Sequence, residues 1–367
     1  MTGEIIIETV IIRDINKLSE LETTWRNLIR NIEHPEIFDT WEWLQIYLKH
    51  MFEKQKQLFI VVVTDDDQAV AIAPLCIATI KLKWRKVKSL QCIISGTGES
   101  NNFYLHKEYH HVKLLKLLTS AILSHQTEWD WIDLYSFHSK NPNTSLIQQS
   151  FGGQCDMFIN QLSLSPFMNL NADHENKFDK SRLKAIERKE RKLCREHEVH
   201  IRIHEPNFER VWDRFTTLHK QRWPQSLFTE PRFINFFLEI IPTFQLNNTA
   251  HFSYIEIDGS IASVWLTFIH KSKAYMYITA TSSQFAEYGV GLILTHRLVE
   301  HYSQNGISEI DFMAGNQEYK FYWLDKVKLN YHIRIISNIK GFKLLKLYTI
   351  LQMNKLKIKS LLQKQTD

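Results

Sequence analysis

The chain has 367 residues, of which 44% are hydrophobic and 12% aromatic, with only eight prolines. That composition excludes a natively unfolded polymer and allows large buried cores, most simply in two domains. Its 45 basic and 40 acidic residues leave a formal charge of +5, too mild to mark a nucleic-acid binder by charge alone.

The opening Met1-Thr2-Gly3-Glu4 lacks the basic start and apolar stretch of a secretory signal. The apolar run from Ala69 to Ile80 falls well short of the ~20 residues a membrane-spanning helix needs. A cytoplasmic protein is expected. Cys76, Cys92, Cys155 and Cys194 are isolated, and no helix carries His-x-x-x-His, so reduced thiols and no metal are expected.

Taken in chain order, Leu58 to Val63, the turn Thr64 to Gln68 and Ala69 to Ile80 read as a hairpin. A helix from His110 to Ser124 and a strand Trp131-Ile132-Asp133-Leu134 follow. Ser95-Gly96-Thr97-Gly98 leads into Glu99 to Asn102 rather than into a helix. The next helix is strongly basic, with Lys177, Lys180, Arg182, Lys184, Arg188, Lys189, Arg191, Lys192 and Arg195 against Asp179, Glu187 and Glu190. Leu183, Ile186 and Leu193 give it one stripe for packing. Its cations either coat a solvated linking helix or attract a phosphate-bearing donor such as coenzyme A or the acceptor stem of a tRNA.

Leu218-His219-Lys220-Gln221-Arg222-Trp223 ends a helical pattern that includes Phe208, Val211, Trp212 and Phe215. His219 and Arg222 share a face. His219 is either a structural histidine or the group that takes a proton from an amine. A second hairpin runs from His251 to Ile257, turns at Asp258-Gly259 and returns from Ser260 to His270. The strand Ala274 to Ala280, the loop Tyr288-Gly289-Val290-Gly291, a helix to Gln304 and the strand Glu309-Ile310-Asp311-Phe312 complete the pattern. The two glycines give a compact helix start, or let an anion approach the free N–H groups of the first turn. From Lys340 to Lys364 a basic amphipathic helix carries Leu344, Leu345, Leu347, Ile350 and Leu351 among lysines. It packs against the domain or lies on an anionic membrane surface.

Hairpin, strand, helix and strand thus occur twice, with Asp133 and Asp311 in corresponding places. Helix crossovers between sequential strands imply an α+β (mixed α/β) fold, its mixed sheets flanked by helices and built twice. The expected domains are 1–165, 166–338 and a C-terminal helix at 339–367.

Three motifs then carry a family resemblance: Leu218-His219-x-x-Arg222-Trp223, Tyr288-Gly289-Val290-Gly291-x-x-Leu294, and Asp311-Phe312-x-x-Gly315-x-x-x-Tyr319-Lys320. With Phe38 to Trp43 and Ala73-Pro74-Leu75, they resemble the BioF2-like or CelD-like branch of the GNAT acyltransferase superfamily, which is similar in turn to the FemAB aminoacyltransferases. The resemblance implies tandem GNAT-like domains, each a mixed, mostly antiparallel sheet flanked by helices. The first is a degenerate copy shaping the acceptor pocket, and the second binds the acyl donor. It implies splayed strands at Ala274 to Ala280 and Ser308 to Met313, and direct attack by an amine on a thioester or ester carbonyl.

By that resemblance Asp311, Lys320, His219 and Tyr319 are candidate catalytic groups. Ala280, Tyr288, Gly289, Val290, Gly291 and Leu292 are candidates for the donor, and Arg222, Trp223, Trp41, Gly315 and Asn316 for the acceptor. The usual coenzyme A loop carries Arg or Gln where this chain has Ala286. The expected activity is N-acyl transfer, N-acetyl transfer first, from acetyl- or acyl-coenzyme A to a small-molecule amine such as an amino-sugar or a polysaccharide or envelope precursor. The alternatives are an aminoacyl-tRNA-dependent transferase, with tRNA as partner, and a catalytically silent binding protein.

Overall fold

The computed structural model describes residues 7–97, 100–170, 180–323, 326–338 and 343–363. Gly98, Glu99, Lys177, Asp179, Lys340 and Lys364, named above, lie outside them, and beyond Met353 the last helix is described as backbone. In chain order the elements are β1 (Ile7–Ile12), α1 (Glu22–Arg30), α2 (Trp41–His50), β2 (Gln57–Asp65), β3 (Gln68–Lys81), β4 (Lys86–Cys92), β5 (Tyr104–Leu105), α3 (His111–Ser124), β6 (Trp131–His138), α4 (Asn143–Ser150) and β7 (Cys155–Asn169). They continue with α5 (Lys180–Glu196), β8 (Val199–Glu205), α6 (Phe208–Arg222), α7 (Pro231–Gln245), β9 (Ala250–Ile257), β10 (Ser260–His270), β11 (Lys273–Thr281), α8 (Val290–Gln304), β12 (Glu309–Asp311), β13 (Lys326–Ser337) and α9 (Lys343–Gln363).

The chain divides into two compact units. The first holds 1–41, 52–162 and 329–367; the second holds 42–51 and 163–328. In the first unit the strand order is β1-β2-β3-β4-β6-β13, with β5 beside β3. All pairs are antiparallel except β4 with β6. Leu58 to Val63 is buried at every residue, which explains a continuous apolar run where a one-sided sheet would alternate. Helix α3 supplies Leu114, Leu115, Leu118 and Ile122 to the same core as Phe59, Val61 and Val63, at the i, i+3/i+4 spacing of one helical face.

The second unit repeats the order with its own elements: β8-β9-β10-β11-β12, then the end of β7. Here β11 and β12 are the parallel pair, and the rest are antiparallel. The turn Asp258-Gly259 has positive φ at both residues, 50° and 76°, as a two-residue hairpin turn matched to strand twist requires. Helix α8 buries Val290, Ile293, Leu294 and Leu298 against Ile255, Trp265 and Met276. The two expected hairpins and helix α8 stand where the sequence places them. Strand β6 runs on to His138, and β12 stops at Asp311, one residue before the expected Phe312.

The repeat exchanges pieces. The end of β7, in the first half of the chain, pairs with β12 of the second unit, while β13 returns to pair with β6 of the first. Residues 42–51 of α2 belong to the second unit, where Trp43 is enclosed by Phe236, Phe244, Phe268 and Tyr277 at centroid distances of 5.4–6.0 Å. The tandem architecture expected from the sequence is present, with each unit a mixed, mostly antiparallel sheet flanked by helices.

Candidate active site

The second unit contains a fork in its sheet. Strands β11 and β12 pair over only three residues, Lys273 to Tyr275 against Glu309 to Asp311. Beyond Tyr275, β11 stays with β10 as far as Thr281. The chain leaving β12 instead follows β7, with the Phe312 N–H donating to the Pro166 carbonyl and that of Gly315 to the Leu164 carbonyl. The two strands therefore diverge because each is held by a different outer neighbour. A β-bulge marks β11 here: Leu266 pairs with Ile278 and Thr267 with Met276, leaving Tyr277 as the extra residue. Such a bulge bends its strand and sharpens the local twist.

At the crotch of the fork sits Asp311, 2% exposed. Its Oδ2 contacts the ammonium of Lys328 and lies 3.1 Å from that of Lys273. Its Oδ1 accepts the N–H of Met313. That bond closes a tight turn with Met313 at φ 59°, a conformation an unbranched side chain adopts only when its surroundings impose it. Gly315 follows at φ 131°, where a side chain would be strained. Lys320, 5% exposed, donates to the Ala314 carbonyl at 2.7 Å and to that of Met313 at 3.3 Å. The ammonium thus braces the turn. Tyr319 packs against the core 6.2 Å from the Trp265 ring, and burial pushes its phenol up, so it is a hydrogen-bond donor at neutral pH. Asn316 is exposed.

The far end of β11 meets the start of α8. Gly289 adopts the left-handed conformation, φ 64°, and a Cβ on Gly291 would stand 3.2 Å from Thr281 Oγ1. Both glycines therefore have structural reasons: one for backbone conformation, the other for close approach of helix to strand. The first bonds of the helix run from the Leu292 and Ile293 N–H groups to the Gly289 carbonyl, so the N–H groups of Val290 and Gly291 precede the helical ladder. Leu292 and Ala280 flank this contact, half-buried and buried. Tyr288 points elsewhere, its hydroxyl donating to Glu196 at 2.6 Å with its ring under Lys192.

Helix α5 approaches the same place. Glu190 accepts from Arg297 of α8, and Lys192 pairs with Glu287. Lys189 Nζ would lie 3.6 Å from a Cβ on Gly289. A cation thus stands over the glycine loop, while Ala286, which carries no charge, is exposed. The sequence places Lys189 among the cations of the basic helix but does not single it out, because no spacing rule links it to Gly289 a hundred positions away.

Three further candidates gather at the end of α6. His219 is buried, its Nδ1 2.8 Å from Ser226 Oγ, and desolvation pulls its pKa down to about 4. It is neutral at pH 7. With Trp223, Pro224, Gln225 and Leu227 it lines an open cavity of about 530 Å3. Trp223 is exposed, and Arg222 lies 5.9 Å from its ring. Trp41 is buried in the first unit, 6.0 Å from Trp25. All four cysteines are free, and no cluster able to hold a metal occurs among the described residues.

Residues 180–321 match the family model described as an acetyltransferase (GNAT) domain. No curated protein matches the sequence. Among solved structures, FemX shares the fold with a TM-score of 0.57 at 9% identity, over 92% of this chain and 99% of that one. A conserved protein of unknown function from Bacteroides thetaiotaomicron gives 0.52 at 8%, over 90% and 100%. The C-terminal domain of a putative lysylphosphatidylglycerol synthetase from Agrobacterium fabrum gives 0.52 at 10%, over 91% and 96%.

Proposed function

Because the chain belongs to the GNAT acyltransferase superfamily through its domain at residues 180–321, we propose that it is an N-acyltransferase. It moves an acyl group, acetyl in the first instance, from coenzyme A to a small-molecule amine such as an amino-sugar or an envelope or polysaccharide precursor. The observation that carries this reading is the fork between β11 and β12, with the glycine loop of α8 at the open end of β11.

In this reading the donor lies along β11. Its phosphates meet the N–H groups of Val290 and Gly291 and the Lys189 ammonium, which supplies the charge that Ala286 cannot. The acyl carbonyl lies at the bulge around Tyr277, where the strand changes direction. The amine nitrogen forms a bond to the carbonyl carbon, gives up a proton, and the carbon–sulfur bond breaks to release the thiol. Neutral His219 accepts the proton, and Tyr319 donates to the leaving sulfur. Asp311 and Lys320 hold the Met313 to Gly315 turn, with Lys320 also placing positive charge near the intermediate. Arg222, Trp223, Gly315 and Asn316 are the proposed acceptor contacts. We place the enzyme in the cytoplasm, with peripheral membrane contact through α9.

A second donor stays in view on a specific ground. Ala286 breaks the coenzyme A loop pattern, and the exposed face of α5 carries Lys184, Arg188, Arg191 and Arg195, a stripe that suits an aminoacyl-tRNA stem. Calorimetric titration with acetyl-coenzyme A, followed by free-thiol release over a panel of amino-sugars, tests the first reading. Binding with thiol release is expected. No binding, with protection of the chain by charged tRNA, would replace it with aminoacyl transfer. Binding without turnover would leave a silent binding protein.

A further inference from the structure

Helix α9 has two apolar sides. One is used within the first unit: Leu345 is fully buried, Tyr348 stacks on Trp131 at 6.4 Å, and Thr349 and Gln352 receive the Arg334 guanidinium. The other side has no such use among the described residues. Leu344, Leu347, Ile350 and Leu351 are 67%, 53%, 44% and 60% exposed. Four large aliphatic side chains on two turns of one helix form an apolar row that internal packing does not explain.

A second element adjoins it. The turn between β3 and β4 reads Lys81-Leu82-Lys83-Trp84-Arg85-Lys86. Its inner residues Ile80 and Leu82 pack in the same cluster as Leu345 and Tyr348. Trp84 is 47% exposed, its ring 6.3 Å from that of Tyr348. Lys81 and Lys86 are direct cross-strand partners, a like-charge pair that weakens a hairpin unless something anionic lies outside it. No acidic residue occurs from 326 to 366, while Lys343, Lys346, Lys355, Lys357, Lys359 and Lys364 do.

We infer that the exposed row of α9 and the Trp84 hairpin form one docking face for an anionic phospholipid bilayer. Aliphatic residues enter the acyl boundary, Trp84 sits at headgroup level and the exposed Lys83 and Lys343 meet lipid phosphates. The aliphatic row separates this from an RNA surface, where bases stack on aromatic rings and cations track the backbone. The inference deepens the peripheral contact proposed for α9 by naming its residues, its lipid class and a second element.

Co-sedimentation of the full chain with phosphatidylcholine vesicles, with and without phosphatidylglycerol, tests it. Binding is expected only with phosphatidylglycerol and should weaken at high salt. Leu347→Glu with Leu351→Glu should lower partitioning by about tenfold or more, and Lys83→Gln and Lys343→Gln by about fivefold each. Brominated lipid should quench part of the tryptophan fluorescence, and Trp84→Phe should remove that part. Unchanged melting and donor titration certify each variant's fold. No binding to any vesicle overturns both the face and the peripheral contact. Binding that none of these substitutions changes overturns the face alone. A concentration-dependent dimer, without vesicle binding and lost in the glutamate variant, assigns the row to a second copy and overturns the inference.

Discussion

Asp133 and Asp311 hold the same register position in their two units, each the last residue of the three that pair in parallel with the neighbouring strand, opposite Gln91 and Tyr275. Both carboxylates are buried, and each repeat solves the burial differently. Asp133 receives a two-pronged hydrogen bond from Arg334 and a third bond from His332 at 2.7 Å. Asp311 faces two ammonium groups. Burial pushes the Asp133 carboxyl up, but the bonds from His332 and Arg334 outweigh it and leave it below the usual carboxylate range. Its stabilisation is therefore present above the unfolded carboxylate pKa and lost as pH falls through the lower folded value.

Removing one partner from such a pair leaves a buried charge alone. Asp133→Ala should cost about 3–5 kcal/mol, read as a lower denaturant midpoint. Asp133→Asn combined with Arg334→Met should recover most of that loss. Equal stability of the single and double variants would contradict this account.

The glycine loop predicts a split between stability and binding. Gly289→Ala forces a side chain into the left-handed region and should cost about 1 kcal/mol, while Gly291→Ala sets a methyl group 3.2 Å from Thr281 Oγ1, which must yield to admit it. Lys189→Ala touches no core residue, since Lys189 is exposed. It should leave the melting temperature unchanged and weaken a phosphate-bearing donor by about tenfold, the loss of one charge-assisted contact. An unchanged donor affinity in Lys189→Ala would remove the residue from the site.

Much of the fold was legible because the signals were local. Asp258-Gly259 between two apolar runs specifies a hairpin, and Val290, Ile293, Leu294 and Leu298 specify a helix face without reference to the rest of the chain. The fork was legible only through the family resemblance, since it arises where Phe312 and Gly315 bond to β7 rather than to β11. The Tyr277 bulge left no mark in an alternating strand. The role of Lys320 was half visible: the Tyr319-Lys320 pair could be picked out, but its two carbonyl acceptors depend on a turn at Met313 whose positive φ no residue type announces.

Acid should weaken the second unit through three histidines. His204 stacks on His251 at 3.9 Å and meets His301 edge-on at 4.8 Å. Desolvation pulls the His204 pKa down to about 3, with the neighbouring imidazoles adding to it, and lowers those of His251 and His301. The unfolded chain then binds more protons than the folded one between the ordinary histidine pKa and the depressed value, so stability falls as pH drops through that window. With allowance for partial solvent screening, His204 contributes on the order of 2 kcal/mol of this slope. Chemical denaturation at a series of pH values from neutral to acid should show it, and His204→Gln should flatten the curve. A wild-type slope retained in that variant would assign the acid sensitivity to other groups.

The exchange of α2 predicts how the chain can be cut. Trp43 is fully buried among aromatic side chains of the second unit, although more than a hundred residues separate it from Ser163, where the main segment of that unit begins. Nothing in an apolar helix face names its partner, so a division at the chain's midpoint would leave Trp43 with the wrong fragment. Trp43→Ala in the full chain should cost about 3–5 kcal/mol by opening a cavity. A fragment of residues 163–328 should lack a cooperative melt, and attaching residues 42–51 through a flexible tether should restore one. If the fragment melts cooperatively without them, and tethered residues 42–51 leave its midpoint unchanged, α2 is not an integral part of the second core.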